Sequence, residues 1–150
     1  ALAEMRTLLL ELRPTALTKV SIEDLLKQLF EALIGRARLP IRLKVDGERK
    51  LPPDVQVALY RIAQESLNNV VKYAQASEVD VHVLYSPAGV FLEIADNGIG
   101  FEMDHRKPTS LGLRIMHERA EAIEAELTIE SQPGLGTRVA ATWIEPKNGR

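Results

Sequence analysis

The sequence predicts an α/β fold: a two-layer α/β sandwich, a mixed sheet with helices on one face. Three observations predict it. Amphipathic helical stretches alternate with short runs of strand-like alternation, in the order helix, strand, long helix, hairpin, helix, hairpin. The 150 residues suffice for one domain with a real core. No internal repeat or low-complexity tract interrupts the pattern.

Residues 1–13 place Leu2, Met5, Leu9 and Leu12 at helical spacing, and Pro14 breaks that helix. Such an amphipathic stub needs a partner surface, in this domain or in a second subunit. Ser21 reads as an N-cap, with Asp24 in the first turn of a helix over 22–36. Leu25, Leu26, Leu29, Phe30, Leu33 and Ile34 supply its apolar stripe. Residues 41–45 alternate cleanly and read as an edge strand turned by Asp46-Gly47. Pro52-Pro53-Asp54 opens the longest helix, over 55–74, with Val55, Leu59, Ile62 and Val70 toward the core. Glu65, Asn69 and Lys72 are spaced four and three apart, on one face at the border of that stripe. Residues 78–85 alternate as a strand, with Val79, Val81 and Val83 on one side and His82 and Leu84 on the other. Ser86-Pro87-Ala88-Gly89 turns it into a second strand that ends at Asp96. Residues 102–110 are charged, carry Pro108 and lack periodicity, so a mobile loop is expected. A helix over 111–125 turns Leu113, Met116, Ala120 and Ile123 inward. Strands over 127–131 and 137–144 flank Pro133-Gly134-Leu135-Gly136, and the tail from Glu145 is polar and expected to fray.

Composition excludes several classes. The net charge of −2 argues against a nucleic-acid surface. Without cysteine there is no disulfide and no thiolate metal site, which fits a reducing compartment. No apolar run approaches membrane-spanning length, and no signal peptide is present. The chain opens inside a helical pattern without an initiator Met and reads as a piece of a longer protein.

The informative stretch is Asp96-Asn97-Gly98-Ile99-Gly100-Phe101. It sets a carboxylate where a strand leaves the sheet and two glycines just beyond, where backbone can be approached closely. A fixed carboxylate beside bare N–H groups suits a ligand with an amine at one end and phosphates at the other. Alone, the stretch reads equally well as a strand ending in an Asn-Gly turn.

Three motifs in one order decide between the two. They are Gln64-Glu65-Ser66-Leu67-Asn68-Asn69-Val70-Val71-Lys72-Tyr73-Ala74, Asp96-Asn97-Gly98-Ile99-Gly100, and Leu111-Gly112-Leu113 followed by Pro133-Gly134-Leu135-Gly136-Thr137. Over residues 21–144 the chain resembles the ATP-binding domain shared by histidine kinases, DNA gyrase, heat-shock chaperones and mismatch-repair ATPases, the Bergerat-type fold. Leu111-Gly112-Leu113 leading into Met116-His117-Glu118-Arg119-Ala120 resembles the nitrate-sensor type of histidine kinase. Glu11-Leu12-Arg13-Pro14 resembles the end of that type's second dimerisation helix.

The resemblance implies a catalytic domain of a two-component sensor. Residues 1–20 would end a dimerisation helix and its linker, 21–145 would be the ATP-binding domain and 146–150 a tail. Asp96 would accept a hydrogen bond from the adenine amine and reject guanine, which presents a carbonyl there. A hydrogen bond to a charged group is worth roughly 1.5–3 kcal/mol, or about one to two decades of affinity. Gly98 and Gly100 would leave room for the base. Asn69 would offer its oxygen to Mg²⁺, Lys72 would neutralise phosphate, and Tyr73 and Gly136 would complete the ATP-binding set. The helix start at Leu111, Gly112 and Leu113 would point amides at phosphate. Thr137 would reach the adenine edge, and residues 102–110 would close as a lid. Glu65 would be the catalytic carboxylate. Ser110 stands where the family often has glycine. His82, His105 and His117 do not match the family's phosphoacceptor, which would lie upstream with the dimerisation helices. Implied partners are those helices, a second copy in the full-length protein and a response regulator, with no direct membrane contact from this piece. The implied setting is cytoplasmic, as the inner part of a membrane-anchored sensor or otherwise. A nucleotide-gated interaction module, or an anti-sigma-type serine kinase or ATPase of the same fold, is the alternative.

Other nucleotide motifs fail. Met103 stands where a dinucleotide fingerprint needs its third glycine, and Gly134-Leu135-Gly136-Thr137 lacks the lysine of a P-loop.

Overall fold

In a computed structural model of the chain, residues 19–37, 39–102 and 111–147 are described. The expected helix over 1–13, the loop over 103–110 and residues 148–150 lie outside them. Helix α1 is Ile22–Ala37, capped by the Ser21 hydroxyl, which accepts from Asp24 N–H at 3.2 Å. Strand β1 is Ile41–Asp46. Helix α2, Pro53–Asn69, runs on without a break into a π-helical turn, Val70–Ala74. Strands β2, Val79–Ser86, and β3, Gly89–Asp96, form the first hairpin. Helix α3 is Leu111–Ala122, and β4, Glu126–Ser131, and β5, Thr137–Ile144, form the second.

The sheet order is β1-β2-β3-β5-β4. Among the described residues only β1 and β2 run parallel, so α2 is the crossover between them. Register aligns the apolar positions. Val81 faces Ile94 and Val139 in one row, and Val83 faces Leu92 and Ala141 in the next. All six are buried, while Asp80, Leu84, Thr128 and Glu130 on the alternate positions are exposed. The helices therefore pack on one face, where Leu25, Leu26, Leu59, Ile62, Leu113 and Met116 complete the core. Among the described residues no helix is long and apolar enough to cross a membrane.

Three expectations need correction. Ile34 is exposed, because at 3.6 residues per turn it lies about 120° around the helix from Ile22. The long helix does not stay α-helical to residue 74, since its last turn widens. Glu145 is tied rather than frayed: its N–H donates to Ala88 O at 2.7 Å, and its carboxylate meets Arg49 at 3.4 Å. Arg49 also stacks on the Trp143 ring.

Candidate functional site

A hollow of about 510 Å³ opens between the end of α2, the turn after β3, the start of α3 and β5. Of the sequence-predicted residues, Asn69, Tyr73, Asp96, Gly100, Leu113 and Thr137 line it. Asp96 and Asn69 reach it from different elements, one ending a central strand and the other ending α2.

Asp96 is built in by its neighbours. Its Oδ1 accepts from Gly98 N–H at 2.8 Å. Burial pushes the carboxyl up from its ordinary range, and hydrogen bonds from the backbone of Gly98 and Thr137 pull it partly back. Asn97 pins the turn from outside. Its Oδ1 accepts from Ser77 N–H at 2.9 Å and Glu78 N–H at 3.1 Å, and its Nδ2 donates to Ser77 Oγ at 2.7 Å. Ile99 N–H donates to Ala74 O at 2.7 Å, and Gly134 N–H donates to Ile99 O at 2.6 Å. Residues far apart in sequence are thus laced together by main chain.

The glycines here serve that lacing. Gly98 is buried and does not line the hollow; a Cβ there would collide with Ala74 O. Gly100, at φ +64°, backs onto Gln132 O, and Gly136, at φ +77°, backs onto Asp96 O. On the side where a Cβ would point, the space beside Gly98 is taken by Ala74 backbone.

The other end of the hollow is made of side chains. A Cβ at Gly112 would collide with Glu65 Oε1 and sit 3.3 Å from Asn69 Nδ2. The first turn of α3 therefore rests against Glu65 and Asn69, the α2 residues expected to act in catalysis and to hold the metal. Leu111 is exposed at that helix start. Lys72 is also exposed, on the π-helical turn and off the lining, whereas Tyr73 beside it does line the hollow. Neither Glu65 nor Gly136 lines it.

Sequence reasoning missed several lining residues. Ser66, with Val70 four positions on, continues the face that carries Asn69 and Tyr73, a spacing that could have flagged it. Met116 was assigned to the core by periodicity; it serves both core and hollow, as does Val139. His117 is exposed on α3. Among the described residues no three His, Cys, Asp or Glu side chains gather as a metal cluster.

Comparison with known proteins agrees with this geometry. The profile of the family described as histidine kinase-, DNA gyrase B- and HSP90-like ATPases matches residues 54–147. The chain is 36% identical over 137 residues to sensor protein VraS of Staphylococcus saprophyticus, covering 91% of this chain and 39% of that protein. It is 36% identical over 137 residues to sensor histidine kinase LiaS of Bacillus subtilis, covering 91% of this chain and 38% of that protein. It thus spans about two fifths of the length of these relatives. The blue-light activated histidine kinase of Erythrobacter litoralis EL346 shares the fold, with a TM-score of 0.71 at 19% identity over 83% of this chain and 42% of that one. The chain belongs to the family of histidine kinase-, DNA gyrase B- and HSP90-like ATPases, and within it to the ATP-binding domain of sensor histidine kinases.

Proposed function

We propose that this chain binds Mg-ATP in the hollow and serves as the catalytic domain of a two-component sensor. The γ-phosphoryl would pass to a histidine on a dimerisation helix upstream of residue 1. One observation carries the reading: Asp96 and Asn69 line the same hollow. At one end the half-buried Asp96 carboxylate accepts the adenine amine, with Thr137 beside it in register. At the other end the Asn69 side chain and the start of α3 receive the phosphates, with Glu65 against that helix start. Lys72 reaches in from outside to neutralise charge.

The donor set suits Mg²⁺, which takes oxygen ligands and keeps several waters, so Asn69 with substrate phosphates suffices. Bound there, the ion would neutralise phosphate charge and align the triphosphate. In the transfer an acceptor imidazole nitrogen bonds to the γ-phosphorus as the bond to the ADP oxygen breaks. Glu65 polarises that imidazole. The partners that follow are the upstream helices, a second copy of the full-length protein, and a response regulator that takes the phosphoryl on. The setting that follows is cytoplasmic. The Leu111-Gly112-Leu113 helix start and its continuation to Ala120 support the nitrate-sensor type.

The experiment supplies the chain with a separate helix pair bearing the acceptor histidine and γ-labelled ATP. Label on the histidine is the expected result. Binding of ATP with no transfer would favour the nucleotide-gated module, and no binding would overturn the reading altogether.

A further inference from the structure

The hydroxyl of Ser131, at the end of β4, is buried and joins three groups beside the hollow. Phe101 N–H donates to it at 2.8 Å, Gly136 O lies 3.1 Å away, and Thr137 Oγ1 lies 2.9 Å away. A serine hydroxyl has one proton and two lone pairs. If the proton goes to Gly136 O, the lone pairs take Phe101 N–H and Thr137 O–H, and three bonds form. If it goes to Thr137, only two form. Buried polar groups favour the fuller set.

We propose that Ser131 is a positioning residue that turns the Thr137 proton away from the hollow, so that Thr137 and Asp96 together present only acceptors to the base. This rests on the adenine-nucleotide reading above. Thr137 lines the hollow and pairs with Asp96 in register. With its proton committed to Ser131, Thr137 Oγ1 offers lone pairs alone, and an ionised carboxylate offers nothing else. Such an end fits a 6-aminopurine. A 6-oxopurine sets a carbonyl against two acceptors and is refused. Removing the Ser131 hydroxyl releases the Thr137 proton, which then swings inward and donates to that carbonyl. Ser131 acts through Thr137 to select amine over carbonyl at purine C6.

The test is calorimetric titration of the chain with ATP and with inosine triphosphate. Ser131→Ala is expected to reduce the ratio of the two affinities by roughly three- to tenfold, the worth of one hydrogen bond. In a Thr137→Ala background the same change should leave the ratio where it was. A role only in holding the Phe101 turn would weaken both nucleotides alike, and that result overturns the proposal. If Ser131→Ala does not fold, Ser131→Cys decides on the same ratio, because a thiol bonds weakly. A wild-type chain that binds neither nucleotide overturns the nucleotide reading and this inference with it. A wild-type chain that binds ATP, with no change of ratio in the variants, overturns this inference alone.

Discussion

The two ends of the hollow are built in opposite ways. Around Asp96 the parts are main chain: Ala74 O, Gln132 O and Asp96 O press on Gly98, Gly100 and Gly136. Around Gly112 the neighbours are the side chains of Glu65 and Asn69. Main chain cannot step aside, whereas side chains can change rotamer. The end that would read the base is therefore fixed in shape, and the end that would handle phosphate is adjustable. The contrast matches the tasks, since a base is recognised by static complementarity while a phosphoryl group has to leave.

The contrast can be broken at its strongest point by Gly100→Ala or Gly98→Ala. At Gly100 a side chain meets a carbonyl and must also adopt a left-handed backbone, so the expected loss is about 2–5 kcal/mol of stability. Urea unfolding would show it, and wild-type stability would mean that the wall is not strung by main chain.

Asp96→Asn should separate binding from stability. ATP affinity is expected to fall about ten- to a hundredfold in calorimetry, with no loss of melting temperature at neutral pH. Burial raises the Asp96 carboxyl. A raised carboxyl stabilises the folded chain below its unfolded value, and that contribution is lost as pH rises through the folded value. At neutral pH the ionised group is a cost, which the amide removes. By the same sign, ATP binding to the wild type should weaken as pH falls through the raised value, because protonation fills an acceptor. A melting temperature that drops in Asp96→Asn would show the carboxylate to be structural.

Gly112→Ala sharpens the comparison from the adjustable end. The intruding methyl meets Glu65 Oε1, which can swing away, and alanine favours the helix by about 1 kcal/mol over glycine. Stability should stay within about 1 kcal/mol of wild type, while displacement of Glu65 lowers phosphoryl transfer by on the order of tenfold or more. The smallest effect belongs to Lys72→Ala. Its ammonium is exposed and off the lining. An exposed charge is worth about 0–1 kcal/mol, so Mg-ATP affinity should fall no more than about fivefold, and less at high salt. A larger loss would place Lys72 inside the site.

Much of the fold was legible because burial imposes a period. Val79, Val81 and Val83 declare a strand face, and Leu113, Met116, Ala120 and Ile123 declare a helix face, whatever they later pack against. Asp96 was legible as a candidate because a carboxylate at a strand end needs a reason. The π-helical turn was not. Val70-Val71-Lys72-Tyr73-Ala74 differs in no compositional way from an α-helical turn, although its last carbonyl, Ala74 O, accepts from Ile99 N–H. Counting α-helical steps put Lys72 in line with Glu65 and Asn69; it lies on the wider turn, exposed and off the lining. Ser131 was equally silent. A serine ending an edge strand looks solvated, and only the folded chain brings Phe101 and Thr137 to it. The glycines were noticed for the right property, close approach, and where a Cβ would stand at Gly98 the neighbour is Ala74 O.

The bonds from Ile99 to Ala74 and from Gly134 to Ile99 have a hereditary consequence. Amide and carbonyl groups are the same in almost every residue, so a wall stitched from them does not depend on which side chains decorate it. Mutation can rewrite the exteriors of Ile99 and Leu135 without loosening a stitch, provided the few bare positions stay bare. Such a site can change its surroundings over many generations while the grip behind them keeps its shape.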